Sequence, residues 1–303
     1  MKLSEFIKDF EGISHLIYDF LDDTSKIMLI RTTPKETYDF FLTEKHNVKY
    51  YPDIPIKYFV NIIVSTPNKI NFLPPNAISL ELGEYNYTLP NIPESLQTLE
   101  LGETYNKTLP ELPDGLINLD LGDLYNKALP QLPKGLLYLN LGWSYKKLLP
   151  PLPDGLHTLI SGSYKLLFPE KLPTELNTLT LIYYYRKLPE LPGKLKNLIL
   201  GWYDGNVVPK LPESLETLYL GGYCSDPITY FPNSLKKIDL GLQYNYLLPD
   251  NLPTELEILN LGSRYNHPLP HILPEGLKKI IVNSIYTHDL PLHLDKLIIE
   301  YFM

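Results

Sequence analysis

The stretch Leu101–Gly142 reads LGETYNKTLPELPDGLINLDLGDLYNKALPQLPKGLLYLNLG. It says nearly the same thing twice. In each copy a Tyr-Asn pair (Tyr105-Asn106, Tyr125-Asn126) is followed by two prolines three residues apart (Pro110 and Pro113, Pro130 and Pro133). Leucines spaced three and two apart come next (Leu116, Leu119, Leu121; Leu136, Leu139, Leu141), then a glycine. The unit L-x-x-L-x-L-G-x-x-Y-N-x-x-L-P-x-L-P continues in both directions. Its central apolar residue recurs at Leu80, Leu99, Leu119, Leu139, Leu159, Leu179, Leu198, Leu218, Ile238, Leu259, Ile280 and Leu297, with Ile62 as a worn first copy. Self-similarity at a period near twenty residues is the mark of a solenoid.

The spacing dictates what each turn does. The L-x-L element alternates with period two, as a strand with one buried face must. Strands from successive turns then pair in parallel at about 4.8 Å. The Leu-Pro-x-Leu-Pro segment is the return path. Proline fixes φ and removes a backbone donor, so neither a helix nor a central strand suits it, whereas polyproline II does. No turn buries its leucines alone; stacking makes the core. The tyrosines supply apolar bulk with a polar tip, and the asparagines bond neighbouring backbone. Where the asparagine is replaced, at Lys146, Lys165 and Arg186, this ladder is expected to be less regular. The expected fold is a leucine-rich-repeat-like solenoid of short parallel strands and extended returns over residues 49–303, behind a small helical segment at 1–48. In that segment Leu3, Phe6, Ile7 and Phe10, then Leu16, Ile17, Phe20 and Leu21, fall at helical spacing.

Composition narrows the functional classes. The net charge of −8 argues against a general nucleic-acid binder. The single Cys224 excludes an internal disulfide and a cysteine-based zinc site. The seven histidines are scattered without ligand spacing, and no phosphate-binding glycine loop precedes a Lys-Ser or Lys-Thr. These features predict a protein that is not an enzyme and uses no cofactor. No apolar run approaches the length of a membrane span, and the acidic start of the chain does not read as a signal peptide. A cytoplasmic protein is expected. The sequons Asn86-Tyr87-Thr88 and Asn106-Lys107-Thr108 carry little weight without a secretory signal.

The motif LPELPDGLINLDLG resembles the short, proline-bearing leucine-rich repeats of bacterial effector proteins. The form LG-x-x-Y-N…LP is similar to FNIP repeats, a family known from social amoebae and from giant DNA viruses of amoebae. Two departures are tyrosine in place of the family's phenylalanine, and Pro-Glu-Leu or Pro-Gln-Leu at Pro110 and Pro130. FNIP repeats often follow an F-box. Ile17-Tyr18-Asp19-Phe20-Leu21-Asp22 resembles part of that motif and Ile27-Met28-Leu29-Ile30-Arg31 resembles its following helix, although the opening Leu-Pro and the closing Trp are missing. The resemblance implies that Ile17, Phe20, Leu21, Leu29 and Ile30 contact the adaptor of a cullin-type ubiquitin ligase, and that a viral protein of this kind works in the host cytoplasm. Read from the residues alone, the same segment is a cap that shields the first repeat from water.

A protein partner is expected on the strand face. The position between the two close leucines points outward, and the residue after the repeat glycine reaches the same face. The two columns begin acidic (Glu81, Glu100 and Asp120; Glu84, Glu103 and Asp123) and then become aromatic. Trp143 and Trp202, the only tryptophans, both follow the repeat glycine, with Tyr138, Tyr183 and Tyr219 beside them. Large aromatics on an exposed column are frequent interface anchors, and the acids would steer a basic partner. Two functions fit: a ligase substrate receptor, or a scaffold unrelated to ubiquitin.

Overall fold

The computed structural model describes residues 27–31, 37–42, 59–64, 73, 75–203, 208–222, 226–290 and 298–302. The chain forms two compact units, residues 1–153 and 154–303.

In the first unit, β1 (Ile27–Arg31) pairs antiparallel with β2 (Thr37–Leu42), and β2 pairs in parallel with β3 (Phe59–Val64). From there every pairing is parallel, through β4 (Ala77–Glu81), β5 (Thr98–Glu100), β6 (Asn118–Asp120) and β7 (Tyr138–Asn140). Ile62 aligns with Leu80, as the worn copy requires. The residues Ile27–Arg31, for which the F-box resemblance implies helix, are strand. An apolar run of four, β-branched at both ends and paired with the Tyr- and Phe-bearing β2, gains more from a ladder than from one helical turn. Leu29 and Ile30 lie opposite Phe40 and Asp39. Ile17, Phe20 and Leu21 lie outside the described residues, as does most of the expected helical segment at 1–48. No helix occurs among the described residues.

The second unit runs from β8 (Thr158–Ser161) through β9 (Thr178–Tyr184), β10 (Asn197–Tyr203), β11 (Thr217–Leu220), β12 (Lys237–Asp239), β13 (Ile258–Asn260) and β14 (Lys279–Asn283) to β15 (Ile298–Phe302). All of these pair in parallel. In the last pairing Ile280 aligns with Ile299, not with the expected Leu297. The two-residue displacement leaves the same face inward, because side chains alternate with period two, and it restores the usual length of the turn.

Each turn is built by the same local chemistry. The carbonyl of the second proline accepts the N–H of the leucine three residues on, at 3.1 Å for both Pro113–Leu116 and Pro133–Leu136, closing a β-turn that delivers the chain into its strand. The central residues from Leu80 to Ile280 are fully buried, and so are Leu82, Leu101, Leu121 and Leu141 two residues on. At the strand end the glycine takes a left-handed conformation, with φ of 69° at Gly102 and 63° at Gly122. A Cβ on Gly122 would collide with the carbonyl oxygen of Gly102 in the turn before. Glycine is therefore required twice over, by torsion and by room.

The tyrosines form a buried column. Tyr105 and Tyr125 stack at 6.3 Å and 8°, Tyr125 and Tyr145 at 6.3 Å and 4°. In the second unit Tyr244, Tyr265 and Tyr286 repeat the arrangement. Phe168 interrupts it between Tyr164 and Tyr184, tilted 47° and 48° to them. Burial pushes the Tyr105 phenol up to about 12 and raises Tyr125 and Tyr265 as well. Beside this column each asparagine amide oxygen accepts the backbone N–H one turn on: Asn106 to Asn86 at 3.0 Å, Asn126 to Asn106 at 3.1 Å and Lys146 to Asn126 at 3.0 Å. Past Lys146, where the asparagine is lost, Arg186 Nε donates to the Lys165 carbonyl at 3.3 Å instead.

Three substitutions test this account by urea denaturation. Leu119→Ala is expected to cost about 2–5 kcal/mol, from lost burial and the cavity left behind. Asn106→Ala is expected to cost about 0.5–1.5 kcal/mol, because water reaches the half-buried amide it releases. Ser161 is 2% exposed, its hydroxyl has no hydrogen-bond partner, and it takes the place that Leu181 holds in the next turn. Ser161→Ala is expected to stabilise by about 1 kcal/mol.

Candidate protein-interaction face

The outward strand positions were legible as columns, and register fixes them as such. In the first unit Glu81, Glu100, Asp120 and Asn140 align side by side across four strands. Three like charges thus stand one strand spacing apart. Glu81 and Glu100 are exposed; Asp120 is half-buried and its carboxylate is engaged. Asp120 Oδ1 accepts the N–H of Gly122 at 2.8 Å, and Oδ2 accepts Asn140 Nδ2 at 2.9 Å. Asn140 Oδ1 in turn accepts the N–H of Gly142 at 2.9 Å. Asp120 therefore braces the left-handed bend as well as contributing charge. Glu84, Glu103, Asp123 and Trp143 are exposed at the position after each glycine, Trp143 at 45%.

The electrostatics follow from that stacking. Desolvation, then the charges of Glu81 and Asp120, raise the Glu100 carboxyl above its ordinary value. Tyr138, half-buried in the column Thr98, Asn118, Tyr138, is likewise raised by burial and then by Asp120 and Glu100. Its neighbours are tied together by a bond from Asn118 Nδ2 to Thr98 Oγ1 at 3.2 Å.

The second unit presents a different surface. Ile182 stands where most turns place glycine, so β9 does not bend and runs seven residues, as does the paired β10. This longer ladder sets Tyr183 beside Trp202, with rings parallel within 7° and 6.2 Å apart. On the far side of Trp202 lies the buried Gly222, where an added Cβ would come within 3.1 Å of the indole ring. Trp202 is sandwiched and offers an edge rather than a face. Tyr219 is 36% exposed, and burial followed by the Asp239 charge raises its phenol. Asp239 repeats the bracing role of Asp120, accepting the Gly241 N–H at 2.9 Å and Asn260 Nδ2 at 2.8 Å.

One charged ladder escaped the sequence reading. Glu216 accepts from Lys196 at 3.1 Å and from Lys236 at 3.0 Å, and Glu257 pairs with Lys278 at 2.8 Å. These hydrogen bonds, that from Lys236 first, hold the Glu216 carboxyl below its ordinary value. All five residues occupy the slot after the first leucine of the repeat. Aligning that slot would have shown the alternation of sign; reading only the positions nearer the glycine hid it. Late in the second unit Lys237 is exposed and Lys279 half-buried, while Lys296 lies outside the described residues.

This architecture defines a repeat protein of the leucine-rich-repeat type. Among solved structures it is similar to YopM from Yersinia enterocolitica WA-314, at a TM-score of 0.56 and 23% identity over 86% of this chain and 68% of that one. It is also similar to the leucine-rich effector YopM of Yersinia pestis, at 0.48 and 24% over 76% and 85%, and to a leucine-rich repeat protein from Bacteroides ovatus, at 0.35 and 17% over 94% and 77%. The first of these likenesses supports the fold alone. Within the second unit, residues 208–243 match the FNIP repeat. No curated protein matches the chain.

The like-charge column makes a pH prediction. A carboxyl whose folded pKa is raised binds its proton more tightly folded than unfolded. Its contribution to stability therefore grows as pH falls through the window just above its ordinary value, and is lost as pH rises through it. Glu100→Gln is expected to remove that slope and to stabilise the protein at pH 7 by about a few tenths of a kcal/mol, the scale of exposed charges. Thermal melts of both proteins between pH 4 and 7 check it.

Proposed function

We propose that this chain is a non-enzymatic, protein-binding repeat module, and that the strand face of its first unit receives a basic segment of its partner. The observation that carries this reading is the in-register column of Glu81, Glu100 and Asp120, flanked by Glu84, Glu103 and Asp123 and ending beside the exposed Trp143. Stacked like charges raise the energy of the unbound surface. A cationic segment relieves that repulsion and is steered toward it. Trp143 then supplies the desolvated contact that holds the complex. In the second unit Tyr183, Trp202 and Tyr219 furnish a separate, more apolar surface.

The finer reading is a substrate receptor of a cullin-type ubiquitin ligase acting in the cytoplasm, with the adaptor bound through the N-terminal segment. Its support is the sequence resemblance of Ile17–Asp22 to an F-box run. The strand conformation of Leu29 and Ile30 narrows that support to the residues before Ile27. A scaffold unconnected to ubiquitin is the alternative, and the N-terminal segment separates the two.

The binding reading is tested on a partner captured with the full chain. Trp143→Ala is expected to raise its dissociation rate at least about tenfold, as loss of a 1.4 kcal/mol anchor would. Glu100→Lys with Glu103→Lys is expected to slow association, with the difference shrinking at high salt. A partner indifferent to both folded variants places the interface elsewhere. For the ligase reading, Leu21→Asp is expected to abolish binding of the adaptor, because an unpaired charge at an apolar contact is costly. A wild-type chain with no micromolar affinity for that adaptor leaves the scaffold reading.

A further inference from the structure

A second charged column lies on the first unit, on the corner beyond the buried tyrosines. Lys107, Lys127 and Lys147 each stand two residues after a stacked tyrosine, one per turn. The rings of Tyr105, Tyr125 and Tyr145 are 6.3 Å apart and parallel within 8°, so successive turns keep nearly the same orientation. The lysine positions therefore recur once per turn along one edge of the unit. Their backbone is held there. The residue before each lysine (Asn106, Asn126 and Lys146) donates its N–H to the asparagine of the preceding turn. Lys107 and Lys147 are exposed and Lys127 is half-buried, while Tyr87 heads the column, 46% exposed.

The contrast with the second unit gives this column its meaning. There, lysines on neighbouring turns are interleaved with glutamates and paired at 2.7–3.1 Å. Among the described residues Lys107, Lys127 and Lys147 make no ion pair, and they stack like upon like. A column of single-sign charge, one lysine per turn and each two residues after a ring of a column spaced at 6.3 Å, is matched by an extended polypeptide running along the stack, in which alternate side chains on one face are about 6.6 Å apart. The chemistry that fits is a carboxylate on every second residue. Phosphates of a single nucleic-acid strand have a comparable spacing. A long polyanion, however, would overrun three lysines onto a chain of net charge −8 whose neighbouring face carries six acids. A short acidic peptide meets only the lysines.

We propose that Lys107, Lys127 and Lys147 form a docking rail for an extended acidic segment of a partner protein, separate from the acidic strand face of the same unit. The two surfaces take opposite charges, so each is tested without the other. The probes are three fluorescent oligomers used with the full chain at low salt. One is a twelve-residue peptide alternating Glu and Ser, the second has the same composition with the glutamates in one block, and the third is a single-stranded oligonucleotide. The alternating peptide is expected to bind at least about threefold more tightly than the block peptide, and to weaken steeply with added salt. Lys107→Gln, Lys127→Gln and Lys147→Gln together are expected to abolish its binding while leaving the circular dichroism unchanged and the thermal melt no lower. Glu100→Lys with Glu103→Lys is expected to leave it intact or to strengthen it. Equal affinity for the two peptides, tighter binding of the oligonucleotide, or binding that survives the triple substitution would overturn the proposal.

Discussion

In each unit the backbones of successive turns approach closely at the bend, where the carbonyl of one bend glycine occupies the space a Cβ would need on the glycine of the next turn. That approach, at Gly83, Gly102, Gly122 and Gly142 and again at Gly241 and Gly262, fixes how far one turn is translated from the last. The leucines then stack as a continuous core, since each falls on its equivalent in the turn before. Without the left-handed bend the strands run on. Unit two shows this at Ile182, where β9 and β10 lengthen and the aromatic pair Tyr183–Trp202 results.

Near-translation has an electrostatic consequence. A charge at one repeat position meets whatever the next copy carries at the same position, so sign patterns in sequence become contacts in space. Lys196, Glu216 and Lys236 alternate, and they form a chain of exposed ion pairs worth little individually. Glu81, Glu100 and Asp120 do not alternate, nor do Lys107, Lys127 and Lys147. A fold optimised only for stability would mix those columns. Holding them single-signed costs repulsion, and a partner of opposite charge recovers it.

The buried tyrosines join the two roles. Their rings fill the corner of the coil, and several hydroxyls reach a carbonyl three residues on, such as Tyr145 to Leu148 at 3.1 Å. This pins the return segment that follows. Desolvation raises these phenols further above their ordinary value. The asparagine and lysine positions just beyond this corner recur with it, once per turn.

By itself the sequence determined the repeat, the inward leucines and the outward acids, because a period near twenty and an alternation of two leave a single arrangement that buries the apolar residues. The exposed acids of the first unit and the exposure of Trp143 were legible for the same reason. Only the tertiary structure decided what depends on neighbours in adjacent turns. Asp120 and Asp239 proved to brace glycine bends, because their oxygens lie within reach of an N–H two residues on and an amide one turn away. Trp202 proved to be sandwiched, because the absence of a bend at Ile182 lays Tyr183 against it. Ile27–Arg31 became strand because β2 offered a ladder. The last strand shifted by two residues to align Ile299 with Ile280, a choice that periodicity cannot make, since a slip of two leaves the same face buried.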